Sequence, residues 1–262
     1  MTLREVTRTV ISLVEKASGC QVVVREDRSL KTLAAARIAR GTNKIHVISY
    51  NPSAVSEPDY LICFQCGFIL RLFNIAAADR FDFAGTVEGR QIVYQLLTAP
   101  DGPGTQLKLP SESIATLRDQ LFDGLMTQLR SMPIGFRVDS WIMREYPELS
   151  LLQQKASMQQ LQENLQALSP EIKKIAPTKV LESNLAMNAA FAEFWAGHLG
   201  DPRVSLPYKA AGFAKAGEEL LRVLDEVADD AAADRQLIDR WSQQLGLTGW
   251  YQWLPYNPPS HD

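Results

Sequence analysis

The amino-acid sequence predicts an α+β protein, with a small mixed layer of strands and helices followed by a mainly helical part. Residues 21–25 and 44–50 are rich in β-branched side chains and are predicted to form strands. A cluster of proline and glycine at 100–104 then breaks the chain. Beyond it, apolar residues recur at helical intervals almost to the end. We therefore expect an α/β region at 1–100 and a helical region at 105–262.

The N-terminal region is predicted to place two or three strands against its helices. Its first helix has an apolar stripe and ends at Gly19, and a short helix is expected in the alanine-rich segment 30–40. The longest apolar segment, 59–73, begins beside Pro58 and Asp59, whose fixed φ and negative charge suit a helix N-terminus. The stripe of the first helix consists of Leu3, Val6, Val10, Leu13 and Val14.

The helical region is predicted to consist of several helices separated mostly by proline. Met132 and Pro133 are expected to end the first of them, and Asp139 to cap the next. In 147–168, apolar residues at heptad-like intervals stand among glutamines, which fits a bundle helix or a partner-binding one. The aromatic tail 250–256 is expected to pack back on the body. The predicted helices are 111–131, 139–146, 147–168, a short one after Ser169, one from Pro177 to 199, 207–227 and 231–245.

Composition and charge narrow the class of protein. With 46% apolar and 22% charged residues, the chain resembles ordinary globular proteins. Its formal net charge of -3 disfavours a nucleic-acid partner, which usually requires a basic patch. We expect no signal peptide, because charges are mixed into the apolar positions of residues 1–16. We expect no membrane-spanning helix, because the longest apolar runs are too short to span a bilayer. Three cysteines do not make a disulfide framework, so the expected location is the reducing cytoplasm.

The segment 59–73 is apolar on nearly every side and is therefore predicted to be a helix buried in the core. A zinc-hydrolase helix places two histidines four residues apart, so that both imidazoles reach the metal from one face. A glutamate next to the first histidine takes a proton from the zinc-bound water. Here the corresponding positions hold Phe64, Gln65 and Phe68. Phenylalanine cannot ligate zinc, and a glutamine amide cannot accept that proton.

The surroundings of this helix carry a family resemblance. Residues 45–52, 59–62 and 67–71 together resemble the strand, connection and active helix of compact zincin metallopeptidases. These include the bacterial enzymes that cleave immunity or stress repressors. The resemblance covers roughly residues 40–75, with a looser echo in the first helix and strand.

The resemblance implies a zincin-like N-terminal layer whose metal chemistry has been lost. An active relative would carry histidine, glutamate and histidine at the positions of Phe64, Gln65 and Phe68, and a third acidic or histidine ligand further on. Glu145 is a candidate relic of that third ligand. No catalytic residue, metal ligand or cofactor is expected. The alternative interpretation, a buried apolar helix with a chance glycine, stays open.

Three further side chains of the helix bear on function. Cys63 and Cys66 form a lone C-x-x-C, which lacks the second pair that a structural zinc site needs, and they are predicted to be buried apolar residues. Arg71 lies on the face of Phe64 and Phe68, so it is expected to form an ion pair or to bind a ligand. Its candidate ion-pair partners are Asp79, Asp82 and Asp139.

Three functional hypotheses follow. The first is a non-catalytic pseudo-metallopeptidase, a regulatory or scaffold protein that binds a protein partner through the old cleft or the helical half. The second is a cytosolic enzyme of unrecognised chemistry in a cleft bordered by His46, Cys63 and Arg71. The third, a regulator linked to nucleic acid, is disfavoured by the acidic balance.

Overall fold

The computed structural model describes residues 3–257 and confirms the α+β class. Residues 1–2 and 258–262, which the two predicted regions include, lie outside the described part. The N-terminal elements are α1 (Glu5–Ser18), β1 (Gln21–Glu26), β2 (Ala34–Arg37), β3 (Ile45–Tyr50), α2 (Asp59–Phe73), β4 (Phe81–Gly85), α3 (Val87–Thr98) and α4 (Pro103–Gln106). The later elements are α5 (Ser111–Glu145), α6 (Ser150–Asn164), α7 (Pro170–Ile175), α8 (Thr178–Leu199), α9 (Leu206–Ala210), α10 (Ala214–Glu226), α11 (Asp234–Gln244) and β5 (Tyr251–Pro255). Short 3₁₀ turns lie at Ala77–Asp79, Pro147–Leu149, Leu165–Leu168 and Pro202–Ser205.

The N-terminal sheet has the strand order β1-β3-β2, with β1 parallel and β2 antiparallel to β3. The central strand buries Ile48 completely, and α1 and α2 pack together beside it through the buried side chains of Val10 and Ile62. The short helix predicted at 30–40 is wrong, because part of that segment forms β2. Alanine has the highest intrinsic helix propensity, but intrinsic propensities are small, and pairing with the apolar central strand outweighs this one here.

The longest helix, α5, continues through a proline. The predicted helix end at Met132 and Pro133 is wrong, and so is the predicted cap at Asp139, which lies buried inside the helix. A proline inside a helix costs about 3 kcal/mol, because it lacks an N–H and its ring crowds the preceding turn. Here Pro133 is itself buried, and the adjoining Leu129 and Ile134 lie in the core. Burial of that side of the helix offsets the local cost.

The other C-terminal helices follow the expected order with local changes. The helix α8 ends at Gly200, whose φ of 63° closes it in the left-handed conformation. The predicted helix 207–227 is divided into α9 and α10 at Gly212. The predicted helix 147–168 consists of α6 with a 3₁₀ turn at each end.

The aromatic tail packs back on the body as predicted, and it does so as a strand. The terminal strand β5 pairs antiparallel with β4, and the rings of Phe83 and Tyr251 stack with their centroids 4.4 Å apart. This pairing and the packing of α2 on α5 both cross the boundary predicted at 100–104. One continuous core therefore includes side chains from both predicted regions. None of the helices within 3–257 is long and apolar enough to traverse a bilayer.

Candidate functional site

The helix α2 begins where the sequence predicts, at Asp59. The Oδ1 atom of Asp59 accepts hydrogen bonds from the backbone N–H of Arg4 at 2.8 Å and from the hydroxyl of Thr7 at 2.5 Å. The carboxylate is buried, and a negative charge at a helix N-terminus is favourable. Asp59 therefore ties the start of α2 to α1.

The two aromatic residues at the motif positions lie on the same side of α2. The ring centroids of Phe64 and Phe68 are 5.2 Å apart in an edge-to-face arrangement, which is a favourable geometry for aromatic pairs. Both side chains are half-buried, as is Gln65. A spacing of four residues would bring two imidazoles together in the same way.

The helix α5 covers this side of α2 directly. Gly135 lies under the Phe64 ring, and a Cβ atom added there would be 3.3 Å from the ring tip. Gly67 approaches even closer, because an added Cβ atom would be 2.4 Å from the Cγ1 atom of Val138. On its other flank α2 packs on α1, β2 and β3. The face that would hold a metal is therefore filled by two rings and closed by a neighbouring helix.

A buried carboxylate of α5 contacts α2 one turn before the ring pair. Asp139 is four residues after Gly135 on α5, and its Oδ1 accepts hydrogen bonds from the hydroxyl of Tyr60 at 2.7 Å and from Nε2 of Gln153 at 2.9 Å. Tyr60 in turn lies one turn before Phe64. Burial raises the pKa of Asp139 to about 7, although both hydrogen bonds favour the ionised form. Asp139 thus joins α2, α5 and α6.

Arg71 forms a partly buried ion-pair network, but with acids other than those predicted. Its guanidinium donates from Nε to Asp234 at 2.6 Å and from Nη1 to Asp229 at 3.0 Å. Arg137 of α5 donates to the same Asp234 at 2.8 Å. The three predicted partners are wrong. Asp82 pairs with Arg40, Asp139 accepts a hydrogen bond from Tyr60, and Asp79 is exposed. The acidic partners come from the far end of the chain, beyond the reach of local sequence reasoning.

The remaining candidates for chemistry are buried and inert. Cys63 and Cys66 are fully buried, as predicted, and burial raises the pKa of Cys63 to about 12. His46 is also fully buried, and burial lowers its pKa to about 4. Its Nδ1 accepts the backbone N–H of Ala39 at 3.1 Å. His46 and Cys63 are fully buried and two acids hold Arg71, so nothing observed in residues 3–257 favours the second hypothesis.

Metal-ligating side chains do not converge in the described part of the chain. Within residues 3–257, no group of three histidine, cysteine, aspartate or glutamate side chains is arranged to hold a metal ion. Glu145, the candidate relic of a third ligand, is exposed at the end of α5 and pairs with its neighbour Arg144. Two surface depressions, one on α11 and one between β4 and α5, contain no residue of α2.

Sequence reasoning missed Gly135 and Arg137 of α5 and assigned Asp139 other roles. The proline before these residues predicted a helix end, and Asp139 was expected to cap a new helix or to pair with Arg71. A useful signal was the pair of glycines at 67 and 135, since small residues allow two helices to approach closely. Comparison with models of protein families, with curated proteins and with solved structures finds no match to this chain.

Proposed function

We propose that this protein is a cytoplasmic, non-catalytic pseudo-metallopeptidase that acts as a regulatory or scaffold protein and binds a protein partner. One observation carries the proposal. The rings of Phe64 and Phe68 occupy one side of a sheet-backed helix, at the spacing where a zinc helix carries its ligands, and Gly135 of α5 lies close to the Phe64 ring. The apolar ring pair stabilises the packing of α2 on α5, whereas two ligands and a base would require an open, polar face.

The chemistry of the site supports a binding role over hydrolysis. Neither ring can ligate zinc, and the amide of Gln65 cannot act as the base. A thiol with the pKa of Cys63 is protonated at neutral pH and is therefore a poor nucleophile. Since α5 closes the old cleft, a partner would have to bind elsewhere.

The outer face of α6 is the partner surface that we favour. Leu151 and Met158 are seven residues apart, so they share a face, and their exposed fractions are 78% and 46%. Gln153, on the opposite side of the helix, is buried, and so is Leu161, about one turn after Met158. Two exposed apolar side chains among neutral glutamines fit a docking surface for a helix or loop of another protein.

Restoring the motif tests whether α2 is a degenerate zinc helix. We expect the triple variant Phe64→His, Gln65→Glu, Phe68→His to bind zinc at 1:1, because the two imidazoles would share a face of α2, and the carboxylate of Asp139 contacts that helix at Tyr60, one turn before Phe64. A matched control is Gln159→His with Glu163→His, the same spacing on an exposed part of α6. Zinc dissociation constants would be measured by isothermal titration calorimetry.

The two variants should differ clearly in affinity. The restored motif should bind zinc at least about tenfold tighter than the α6 control, since a third ligand adds to the coordination. Adding Asp139→Asn should remove that advantage. Equal affinities in the two folded variants would reject the degenerate-zinc interpretation of α2 and leave a buried apolar helix.

The partner surface is tested by two exposed substitutions. We expect Leu151→Asp with Met158→Asp to abolish co-purification of a protein that the wild-type chain retains from extracts of its native cells. Leu206→Asp, an exposed apolar position on α9, is the matched control and should retain it. A partner retained by both variants would place its contact away from α6.

A further inference from the structure

The depression between β4 and α5 has an apolar floor and a volume of about 180 Å³. Three of the side chains that line it, those of Phe83, Phe122 and Met126, also pack in the core. Phe122 is completely buried, and its ring stacks on that of Trp250. An apolar cavity of about 150 Å³ is enough to hold benzene. The depression therefore has room for one six-membered ring on a floor that is held in place from below.

The strand β4 directs main-chain donors away from its partner strand. The bond from the N–H of Thr86 to the carbonyl of Trp250 shows that the even-numbered residues of β4 face β5. The N–H groups of Phe83 and Gly85 therefore lie at the other edge of β4, and both residues line the depression. Within residues 3–257 these two groups form no hydrogen bond. Unpaired main-chain N–H groups beside a concavity favour an anion.

Arg130 adds a cation to the same depression. Its side chain lines the depression and makes no ion pair or hydrogen bond with the described part of the chain. The nearby acids already have partners, since Asp123 pairs with Arg90 at 2.6 Å and Asp82 pairs with Arg40. Although the Arg130 side chain is exposed, the protein around its guanidinium lowers the pKa of that group. One positive charge at the depression is therefore left without a counter-charge.

We infer that the depression between β4 and α5 binds a carboxylate that is attached to an aromatic ring. The carboxylate would accept hydrogen bonds from Arg130 and from the N–H groups at the edge of β4, and the ring would lie on Met126. A doubly charged phosphate fits less well, because Asp123 lines the same depression and a single unpaired cation faces it. The inference goes beyond the proposed function, because none of the lining residues belongs to α2 or α6.

Phenylacetate is the probe, and phenylacetamide is its neutral control of nearly the same shape. Both would be titrated into the full chain by isothermal titration calorimetry at pH 7.5. We expect phenylacetate to bind at 1:1 and phenylacetamide to bind at least about tenfold more weakly, because the amide loses the charge-assisted bond to Arg130. Equal affinity for the two compounds, or no saturable binding of phenylacetate, would overturn the inference.

An aromatic carboxylate can be a free molecule or the last residue of a peptide, and a third ligand separates these sources. Acetyl-Gly-Gly-Phe with a free carboxyl group would be titrated in the same way. Tighter binding of the peptide than of phenylacetate would support the site and assign it to a chain end. Tighter binding of phenylacetate would support the site and assign it to a free small molecule.

A matched pair of variants tests the cation. We expect Arg130→Gln to weaken the binding of phenylacetate at least about tenfold, since it removes the unpaired charge and its donors. Arg222→Gln changes the net charge equally at an exposed position on α10, and it should leave the affinity unchanged. Unchanged affinity in folded Arg130→Gln would contradict the inference, and so would an equal loss in both variants.

The position of the ligand can be read without any substitution. In nitrogen-15 NMR spectra, the amide signals of Phe83 and Gly85 should shift as phenylacetate is added, because their N–H groups would donate to it. The amide signals of Leu151 and Met158 on α6 should stay in place. Shifts confined to other parts of the chain would overturn the inference. The substitutions on α6 test the proposed function separately, so either conclusion can fail without the other.

Discussion

Asp139 should make the stability of the fold depend on pH in a way that Asp139→Asn removes. The carboxylate is completely buried between α2, α5 and α6, and burial raises its pKa from 3.8 to about 7. At a pH between these two pKa values, Asp139 holds a proton in the folded protein that it has released in the unfolded chain. The stabilising contribution of Asp139 to the free energy of unfolding is therefore fully present below about pH 4, falls as the pH rises, and is lost above about pH 7.

The size of the effect follows from the shift. About three pKa units at roughly 1.4 kcal/mol each correspond to about 4 kcal/mol between the two ends of the range. Asparagine is neutral at every pH, and its Oδ1 can still accept from Tyr60 and Gln153, which both bond the same oxygen in the structure. His46 opposes this trend, because its pKa is lowered and its contribution is lost as the pH falls.

A difference between variants isolates Asp139 from His46. The free energy of unfolding would be measured by urea titration at intervals from pH 4 to pH 8, for wild type and for Asp139→Asn. As the pH rises across that range, we expect the free energy of unfolding of the variant to increase by roughly 4 kcal/mol relative to that of wild type, with most of the change below pH 7. Asp79→Asn, at an exposed position, should give a flat difference. A flat difference for Asp139→Asn would refute the assignment of a buried, protonated carboxyl group.

Three further outcomes are expected. Gly67→Ala should destabilise the fold by up to about 2 kcal/mol in urea titrations, because overpacking against Val138 outweighs a gain in helix propensity of about 1 kcal/mol. Adding Val138→Ala to the same chain should recover most of that loss. Additive effects of the two substitutions would contradict this contact. Cys63 and Cys66 should react with a thiol reagent at pH 8 only in urea, and rapid labelling without urea would show that they are not buried. Relative to wild type, His46→Gln should gain stability as the pH falls from 6.5 to 4, and a difference that does not change with pH would contradict the assignment of His46 as a neutral buried group.

The sequence predicted the elements whose signals are local. The start of α2 at Asp59 and the strands β1 and β3 follow from charge, proline and β-branched runs that act within a few residues. The end of α8 at Gly200 follows from a glycine that can adopt positive φ. The burial of Cys63 follows from the apolar character of its helix on every side.

The features that the sequence did not predict depend on tertiary contacts. The alanines of β2 form a strand only because a buried strand lies beside them, and α5 crosses Pro133 only because both sides of that turn are in the core. The partners of Arg71 lie more than 150 residues away, so no local pattern could identify them. Similarly, the closure of the α2 face by α5 depends on the approach of Gly135 to Phe64, which no spacing within α2 reveals.

Zinc stoichiometry of the wild-type protein tests the central claim most directly. Purified protein would be exposed to an excess of zinc at pH 7.5, desalted and examined by native mass spectrometry, with the restored-motif variant beside it. Because Phe64 and Phe68 fill the ligand positions under α5, we expect wild type to retain no stoichiometric zinc and the variant to retain one ion per chain. One zinc ion held by the wild-type chain would contradict the account.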